Sequence, residues 1–202
     1  MATLLQAQAR VKAPVKATLA DLARVAGKAE LVKGEIIAMP PTGGDPGYTG
    51  DETYASLREY AKRTKLGRAV GDNKAFRVNL PHRESLSPDA AFYIGPSPGM
   101  KFYEGAPVLA IEVRSENDYG PQAERELAQK RLDYFTAGAL VVWDVDLLAQ
   151  VVRSYHADDP SHPQLFHRGQ YAHAEPAVPG WSVLVDDLFP PAEENSGLLG
   201  VQ

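Results

Sequence analysis

The sequence contains no cysteine. Disulfide bonds and zinc sites built from thiolates are therefore excluded, so any metal ion must be held by oxygen or imidazole ligands. The five histidines show no helical HxxxH pair, which favours surface or hairpin positions over a zinc site. A chain without cysteine is compatible with the cytoplasm, and we expect a cytoplasmic protein.

Long apolar runs are also missing. No window approaches the roughly 18 apolar residues that a membrane-spanning helix needs. The N-terminal segment, MATLLQAQARVKAPVKATLADL, has neither the apolar core nor the cleavage signal of a secretory leader. We therefore expect no association with a membrane.

Basic residues are missing from the C-terminal part of the chain. From Gly169 onward there are five acidic residues and no Lys or Arg, which leaves 21 basic and 21 acidic residues in the rest. Within that balanced part, residues 58–77 carry seven basic residues against two acidic ones. Such a basic segment favours contact with a nucleic-acid backbone. An ordinary solvated helix face would give the same pattern.

The length of 202 residues suits one domain with a full hydrophobic core. We expect this domain to span residues 18–190. The Ala/Lys-rich residues 1–17 should form a loosely ordered arm, and residues 191–202 should form a disordered tail.

The periodicity of the sequence predicts the fold class. A capping box at Thr18 predicts a short helix, AELVKGEIIAM predicts two strands, PPTGGDPG a loop and DETYASLREYAKRTKLG a helix. The segments PVLAIEVRS, YGPQAERELAQKRLDYFTAG and ALVVWDVD predict a buried strand, a long helix and a second buried strand parallel to the first. The fold class is therefore α/β or α+β, with a mixed central sheet flanked by helices and a hairpin near the C-terminus.

Residues 95–99, GPSPG, match the G-x-S-x-G pattern of serine hydrolases. In that pattern the N–H of the residue after the serine forms part of the oxyanion hole. Here that residue is Pro98, which has no N–H. We interpret GPSPG as a tight loop, and a serine hydrolase acting through Ser97 is the weakest of the functional hypotheses.

Two carboxylates stand on neighbouring strand segments. Asp89 begins one strand, and Glu112 lies inside the next in an otherwise apolar run. A glutamate at such a position is unfavourable unless it pairs with a cation. If the strands are adjacent, the two carboxylates can share Mg²⁺ or Mn²⁺, which take oxygen ligands. The alternative is that Glu112 faces solvent or pairs with Arg114 or Arg131.

The order of several short motifs resembles a known family. The motifs are GE and ELV near the start, the PPTGG loop, PD at a strand start, IEVRS, and a helix that carries QK and ends in YFTAG before VVWDVD. Over residues 22–189 the chain resembles the Uma family of restriction endonucleases, within the PD-(D/E)XK nuclease superfamily. The resemblance implies a restriction-endonuclease-like fold in which Asp89 and Glu112 bind Mg²⁺ or Mn²⁺.

The resemblance also implies a lysine that orients the attacking water or balances charge at the scissile phosphate. In the simplest superfamily pattern it lies two residues after the glutamate, where this chain has Arg114. Arginine can stabilise an anionic transition state but is a poor proton acceptor. The resemblance implies Lys130, on the following helix, although helical periodicity alone favours Arg131 at least as well.

Two further residues follow from the resemblance. The acidic residue of the ELV segment is Glu30, and Gln129 matches a polar position beside the lysine. Family members often carry a histidine shortly after the PPTGG loop, where this chain has Pro46. The predicted catalytic site therefore comprises Asp89, Glu112, Lys130, Glu30 and Gln129.

The predicted function is metal-dependent hydrolysis of DNA phosphodiester bonds by an endonuclease. The alternative is a catalytically silent module with the same fold that binds nucleic acid or another protein. The net negative charge, Arg114 and Pro46 favour this alternative. Metal-dependent cutting of DNA distinguishes the two hypotheses.

Cutting both strands of a duplex is simplest for a symmetric dimer, so we expect a homodimer. Light scattering at the working concentration should then give twice the chain mass of 21.9 kDa. A monomeric mass would contradict this prediction.

Overall fold

Two β-sheets meet around a shared hydrophobic layer. The computed structural model of the chain describes residues 16–191. Most of the predicted N-terminal arm (1–17) and of the predicted tail (191–202) therefore lies outside the described residues.

The chain alternates short strands with two long helices. The helices are α1 (Leu19–Leu22), α2 (Gly44–Thr64) and α3 (Pro121–Thr136), and a 3-10 helix covers Val185–Leu188. The strands in chain order are β1 (Ala29–Val32), β2 (Glu35–Ala38), β3 (Arg68–Val70), β4 (Phe76–Leu80), β5 (Arg83–Leu86), β6 (Ala90–Tyr93), β7 (Tyr103–Glu104), β8 (Leu109–Val113), β9 (Val141–Asp146), β10 (Val151–His156), β11 (Asp159–His167), β12 (Tyr171–His173) and β13 (Ser182–Leu184).

The larger sheet has six strands in the order β11-β10-β9-β8-β6-β3, and only β8 and β9 in it are parallel. A five-stranded sheet has the order β2-β1-β5-β4-β7, and β12 pairs with β13 near the C-terminus. The predicted mixed sheet with helices and a C-terminal hairpin is thereby confirmed. No helix within the described residues is long and apolar enough to cross a membrane.

The strand–helix–strand unit also agrees with its sequence prediction. Strand β8 leads into α3, and β9 returns parallel to β8. Pro121 occupies the start of α3, where its missing N–H has no partner to lose. Gly138 follows the helix with a φ of +107°, a conformation that glycine adopts easily.

The start of α2 differs from the prediction. The sequence predicts a loop through PPTGGDPG, but α2 begins at Gly44, so GDPG forms its first turn. Pro46 is tolerated there because the first turn of a helix does not use its N–H groups. Asp45 also favours a helix start, since a negative charge is stabilised at that end of the helix dipole.

Side chains alternate between the two faces of the six-stranded sheet, because successive strand residues point to opposite sides. On one face, Ile111 and Trp143 pack in a core that includes Trp181 and residues of α2. On the other face, Ala110 packs in a second core with Tyr134 of α3 and residues of β4 and β5. The five-stranded sheet therefore covers the same face as α3.

The chain crosses from one sheet to the other through Ser87, Pro88 and Asp89. Strand β5 ends at Leu86 in the five-stranded sheet, and β6 begins at Ala90 in the six-stranded sheet. The predicted carboxylate at Asp89 therefore lies at the junction of the two sheets.

Strand β11 is an edge of the six-stranded sheet. The register of its pairing with β10 shifts between Ser154 and His156. Strand β11 contains Pro160 and Pro163 near this shift, and neither residue has an N–H to donate.

A substitution at Gly67 tests how tightly α2 packs on the six-stranded sheet. A Cβ at this position would lie 2.6 Å from Cε1 of Phe92 and 2.8 Å from the carbonyl oxygen of Tyr93. We expect Gly67→Ala to lower the free energy of unfolding by about 2 kcal/mol, because the buried ring and the backbone must shift. Urea unfolding measures the change. Gly44→Ala, whose Cβ meets nothing within 4 Å, should stay within about 0.5 kcal/mol of wild type. Equal stability of both variants would contradict the packing argument.

Candidate active site

Three structural elements bring four of the five predicted residues together. Asp89 and Glu112 come from the six-stranded sheet, Lys130 from α3, and Glu30 from β1 of the five-stranded sheet. All four side chains are largely shielded from solvent.

Asp89 and Glu112 lie beside each other at the β6–β8 pair. Ala90 pairs with Ile111, which places Asp89 opposite Glu112 at the next position of the antiparallel ladder. The N–H of Asp89 donates to the carbonyl of Ile111 at 3.0 Å, and the N–H of Val113 donates to Oδ2 of Asp89 at 2.7 Å. The backbone thus holds the Asp89 carboxylate next to β8.

Lys130 and Tyr134 reach Glu112 from the same side of α3. They are four residues apart, which is about one helical turn. Nζ of Lys130 lies 2.9 Å from Oε2 of Glu112, and the hydroxyl of Tyr134 donates to Oε1 at 2.5 Å. Tyr134 was not among the predicted site residues, although its four-residue spacing from Lys130 is a sequence signal for it.

Glu30 lies on the other side of Lys130. Oε1 of Glu30 is 3.1 Å from Nζ of Lys130, and the N–H of Ser87 donates to the same oxygen at 2.9 Å. Arg83 forms an ion pair with Oε2 of Glu30. The side chain of Glu30 is only 4% exposed, so these cations and the N–H replace its water.

Lys28 is a second lysine at the site. Its Nζ lies 2.5 Å from Oδ1 of Asp89 and 2.7 Å from Oδ1 of Asp72, which follows β3. Burial would lower the pKa of Lys28, but Asp89 and Glu112 outweigh burial and raise that pKa, so Lys28 is a cation. Lys28 precedes Glu30 by two residues, and the two-residue period of a strand is the sequence signal for it.

Gln129 lies outside this group of side chains. Its amide donates to Oδ1 of Asp133 at 2.9 Å, and the same oxygen is 2.8 Å from Nε2 of His82. Nε of Arg83 donates to Oδ2 of Asp133 at 2.6 Å. Gln129 is therefore connected to Glu30 through Asp133 and Arg83. No sequence pattern pointed to Arg83, because its partners Glu30 and Asp133 are 53 and 50 residues away along the chain.

Arg114, at the position of the superfamily lysine, is engaged elsewhere. Its Nε and Nη2 donate to the two carboxylate oxygens of Asp144 at 2.6 and 2.7 Å, and it pairs with Glu124 in the first turn of α3. Arg131 also contacts Asp144, at 3.3 Å. The alternative in which Glu112 pairs with one of these arginines is therefore wrong.

The second turn of α2 lies beside Asp89. A Cβ at Gly50 would be 3.8 Å from Cβ of Asp89. Pro46, at the position where family members often carry a histidine, precedes Gly50 by about one helical turn. The departure from the family pattern is thus close to the site.

The charges of the site shift the pKa values of its members in different directions. Burial alone would lower the pKa of Lys130, but Glu112 and Glu30 outweigh burial and raise that pKa. Burial would raise the pKa of Glu30, but Lys130 and Arg83 outweigh burial and lower that pKa. Burial does raise the pKa of Glu112, because the opposing effect of Lys130 does not cancel it. Lys130 is therefore a stable cation at neutral pH.

The donor set fits a hard divalent cation. Each carboxylate of the β6–β8 pair has one oxygen held by an uncharged donor, Val113 or Tyr134, and one held by a lysine. The residues that would hold the ion are Asp89 and Glu112, and two carboxylates with water and phosphate oxygens are a common Mg²⁺ arrangement. Within residues 16–191, no three His, Cys, Asp or Glu side chains cluster to hold a metal ion, so the protein would supply only these two carboxylates and water or phosphate would supply the other ligands.

Glu30→Gln tests the electrostatics of the site in a chelating buffer. At pH 7 this variant should lose about 3 kcal/mol of unfolding free energy, because Lys130 and Arg83 each lose a negatively charged partner. Folding lowers the pKa of Glu30, so its contribution is present above the unfolded value of about 4.3 and is lost as the pH falls through the folded value. The difference from wild type should therefore shrink as the pH falls below the unfolded value and through the lower folded value.

Glu112→Gln is the matched variant with the opposite expectation. Folding raises the pKa of Glu112, so its stabilising contribution is present below about 4.3 and is lost as the pH rises through the folded value. At pH 7 the neutral Gln should therefore be at least as stable as wild type. Urea unfolding across this pH range measures both variants. Equal losses with the same pH trend would contradict the contrast between the two glutamates.

Comparison with known proteins assigns the chain to a family. A family model described as "Uma2: Putative restriction endonuclease" matches residues 18–186. Among solved structures, the chain is similar to "a putative nuclease belonging to DUF820 from Anabaena variabilis ATCC 29413". The TM-score is 0.66 and the sequence identity is 19%, and the match covers 85% of this chain and 97% of that chain. This likeness shows the fold, which is restriction-endonuclease-like. No curated protein matches the chain. Because the family model covers most of the sequence, the chain belongs to the Uma2 family.

Proposed function

We propose that the protein is a metal-dependent endonuclease that hydrolyses DNA phosphodiester bonds. Family membership supports a nuclease function in general. The observation that supports metal-dependent hydrolysis of DNA is the position of Lys130 between the carboxylates of Glu112 and Glu30, with Asp89 opposite Glu112. Two acids and one lysine, held together by two sheets and a helix, form the kind of site that phosphodiester hydrolysis requires.

Asp89 and Glu112 are the proposed ligands of Mg²⁺ or Mn²⁺. A divalent cation there supplies positive charge to the scissile phosphate and lowers the pKa of a bound water. Val113 and Tyr134 hold one oxygen of each carboxylate, and this limits the rotation of the two side chains. The carboxylates are thus oriented before substrate binds, which reduces reorganisation during the reaction.

Lys130 is the proposed stabiliser of negative charge on the phosphate. Its raised pKa makes it a poor proton acceptor at neutral pH, so we assign it charge balance and positioning of water rather than general-base catalysis. Glu30 holds the ammonium group at 3.1 Å and keeps it directed between the sheets. Gln129 supports this arrangement through Asp133.

DNA is the proposed substrate on the basis of the basic segment at residues 58–77. Its side chains lie at the end of α2 and in the strands that follow, and most are exposed. They include Arg58, Lys62, Arg63, Lys65, Lys74 and Arg77. An exposed group of this charge binds phosphates without sequence preference. A homodimer with two sites would allow both strands of a duplex to be cut.

Cleavage of supercoiled DNA in Mg²⁺, Mn²⁺ and chelator tests the proposal. Wild type should nick or linearise DNA with metal and leave it intact with chelator. Asp89→Asn and Glu112→Gln should each lower the rate by about a hundredfold or more, since each removes a charged ligand of the proposed metal ion. Lys130→Met should have a similar effect, because it removes the positive charge proposed to stabilise the phosphate. Glu116→Gln is the matched control, because Glu116 is exposed and follows β8 by three residues.

Two outcomes would contradict the proposal. If the Asp89→Asn and Glu112→Gln variants still cut DNA at the wild-type rate, the activity would belong to another site. Salt-sensitive DNA binding by a folded protein that never cuts would favour the catalytically silent binding module.

A further inference from the structure

The second lysine of the site has no role in the proposed reaction. Lys28 immediately precedes β1 and contacts Asp89. The N–H of Val113 donates to Oδ2 of Asp89, and the ammonium group of Lys28 contacts Oδ1. Its side chain is 11% exposed and contacts a second carboxylate, Asp72. Lys28 is therefore a second shielded ammonium group with two carboxylate partners.

Oδ1 is the oxygen of Asp89 that would be left to bind a metal ion. Oδ2 already accepts the backbone N–H of Val113 at 2.7 Å. The ammonium group of Lys28 lies 2.5 Å from Oδ1 and repels any second cation at that oxygen. Lys28 must therefore leave Oδ1 when a cation binds there.

Asp72 gives Lys28 a place to remain after it leaves Asp89. Its Oδ1 is 2.7 Å from Nζ of Lys28, and its side chain is 42% exposed. Lys130 has no comparable exit, because its second partner, Glu30, is 4% exposed and lies between the sheets. Lys28 can therefore leave Asp89 and keep a carboxylate partner that is partly exposed, whereas both partners of Lys130 are shielded from solvent.

We propose that Lys28 is a built-in counter-cation that occupies the metal-facing oxygen of Asp89 and moves to Asp72 when a divalent cation binds, so that Lys28 sets the metal affinity of the site. The inference rests on the proposed metal site at Asp89 and Glu112. Without metal, Lys28 neutralises the carboxylates and stabilises the fold. With metal, the same charge weakens the binding of the ion.

Calorimetric titration with Mn²⁺ alone, without DNA, tests the inference. Lys28→Met should bind Mn²⁺ about tenfold more tightly than wild type, because one like charge next to the ion is removed. Lys28→Gln, which keeps a hydrogen-bond donor, should show the same direction and serves if the Met variant does not fold. Lys28→Arg keeps the charge and should stay near the wild-type affinity.

Thermal unfolding gives a second readout that does not depend on activity. In chelator, Lys28→Met should unfold at a lower temperature than wild type, because Asp89 and Asp72 lose their counter-charge. Saturating Mn²⁺ should then raise its unfolding temperature by more than that of wild type. Lys101→Met, which removes an exposed charge from a loop, should match wild type in both measurements.

The outcomes separate this inference from the proposed function. Unchanged or weaker Mn²⁺ binding by both neutral variants, with binding abolished in Asp89→Asn, would overturn the role of Lys28 and leave the metal site in place. Absence of Mn²⁺ binding in wild type and in every Lys28 variant would overturn both. Tighter binding in both neutral variants, lost when Asp89→Asn is added, would support both.

Discussion

The burial of three carboxylates at the junction of two sheets is the constraint on which the site depends. Asp89, Glu112 and Glu30 repel one another and have little water around them, so the fold must supply positive charge at fixed positions. Lys130 meets this need for Glu112 and Glu30, and Arg83 does so for Glu30. Oδ1 of Asp89 is compensated instead by Lys28, which also contacts the partly exposed Asp72. Buried charges that are balanced in this way are common at functional sites.

Helix α3 takes part in two separate ionic networks. Lys130 and Asp133 join it to the carboxylates and to Arg83, while Glu124 and Arg131 join it to Arg114 and Asp144. The second network fixes the start of the helix against β9, so that the lysine one to two turns later lies at a defined distance from β8. The contacts of Arg114 thus help to hold α3, the helix that carries Lys130.

The sequence allowed much of this arrangement to be predicted, because strand and helix periods are local properties. The β8–α3–β9 unit and the proximity of Asp89 to Glu112 followed from such patterns. The choice between Lys130 and Arg131 could not be predicted from such patterns. Both residues fit the same helix face, and only the position of the five-stranded sheet separates them. Arg83 was not predicted for a related reason. It contacts Glu30 and Asp133, which are 53 and 50 residues away along the chain, and no local pattern encodes such contacts. The start of α2 was misplaced because proline and glycine suggest a loop, whereas the first helical turn tolerates both.

The irregular pairing of β11 has a consequence for assembly. A regular edge strand offers a row of free N–H and C=O groups on which a second chain can extend the sheet. Here the register shift interrupts that row, and Pro160 and Pro163 remove two donors from it. Continuous sheet extension across this edge is therefore disfavoured, because the longest strand among the described residues offers no regular row of donors and acceptors.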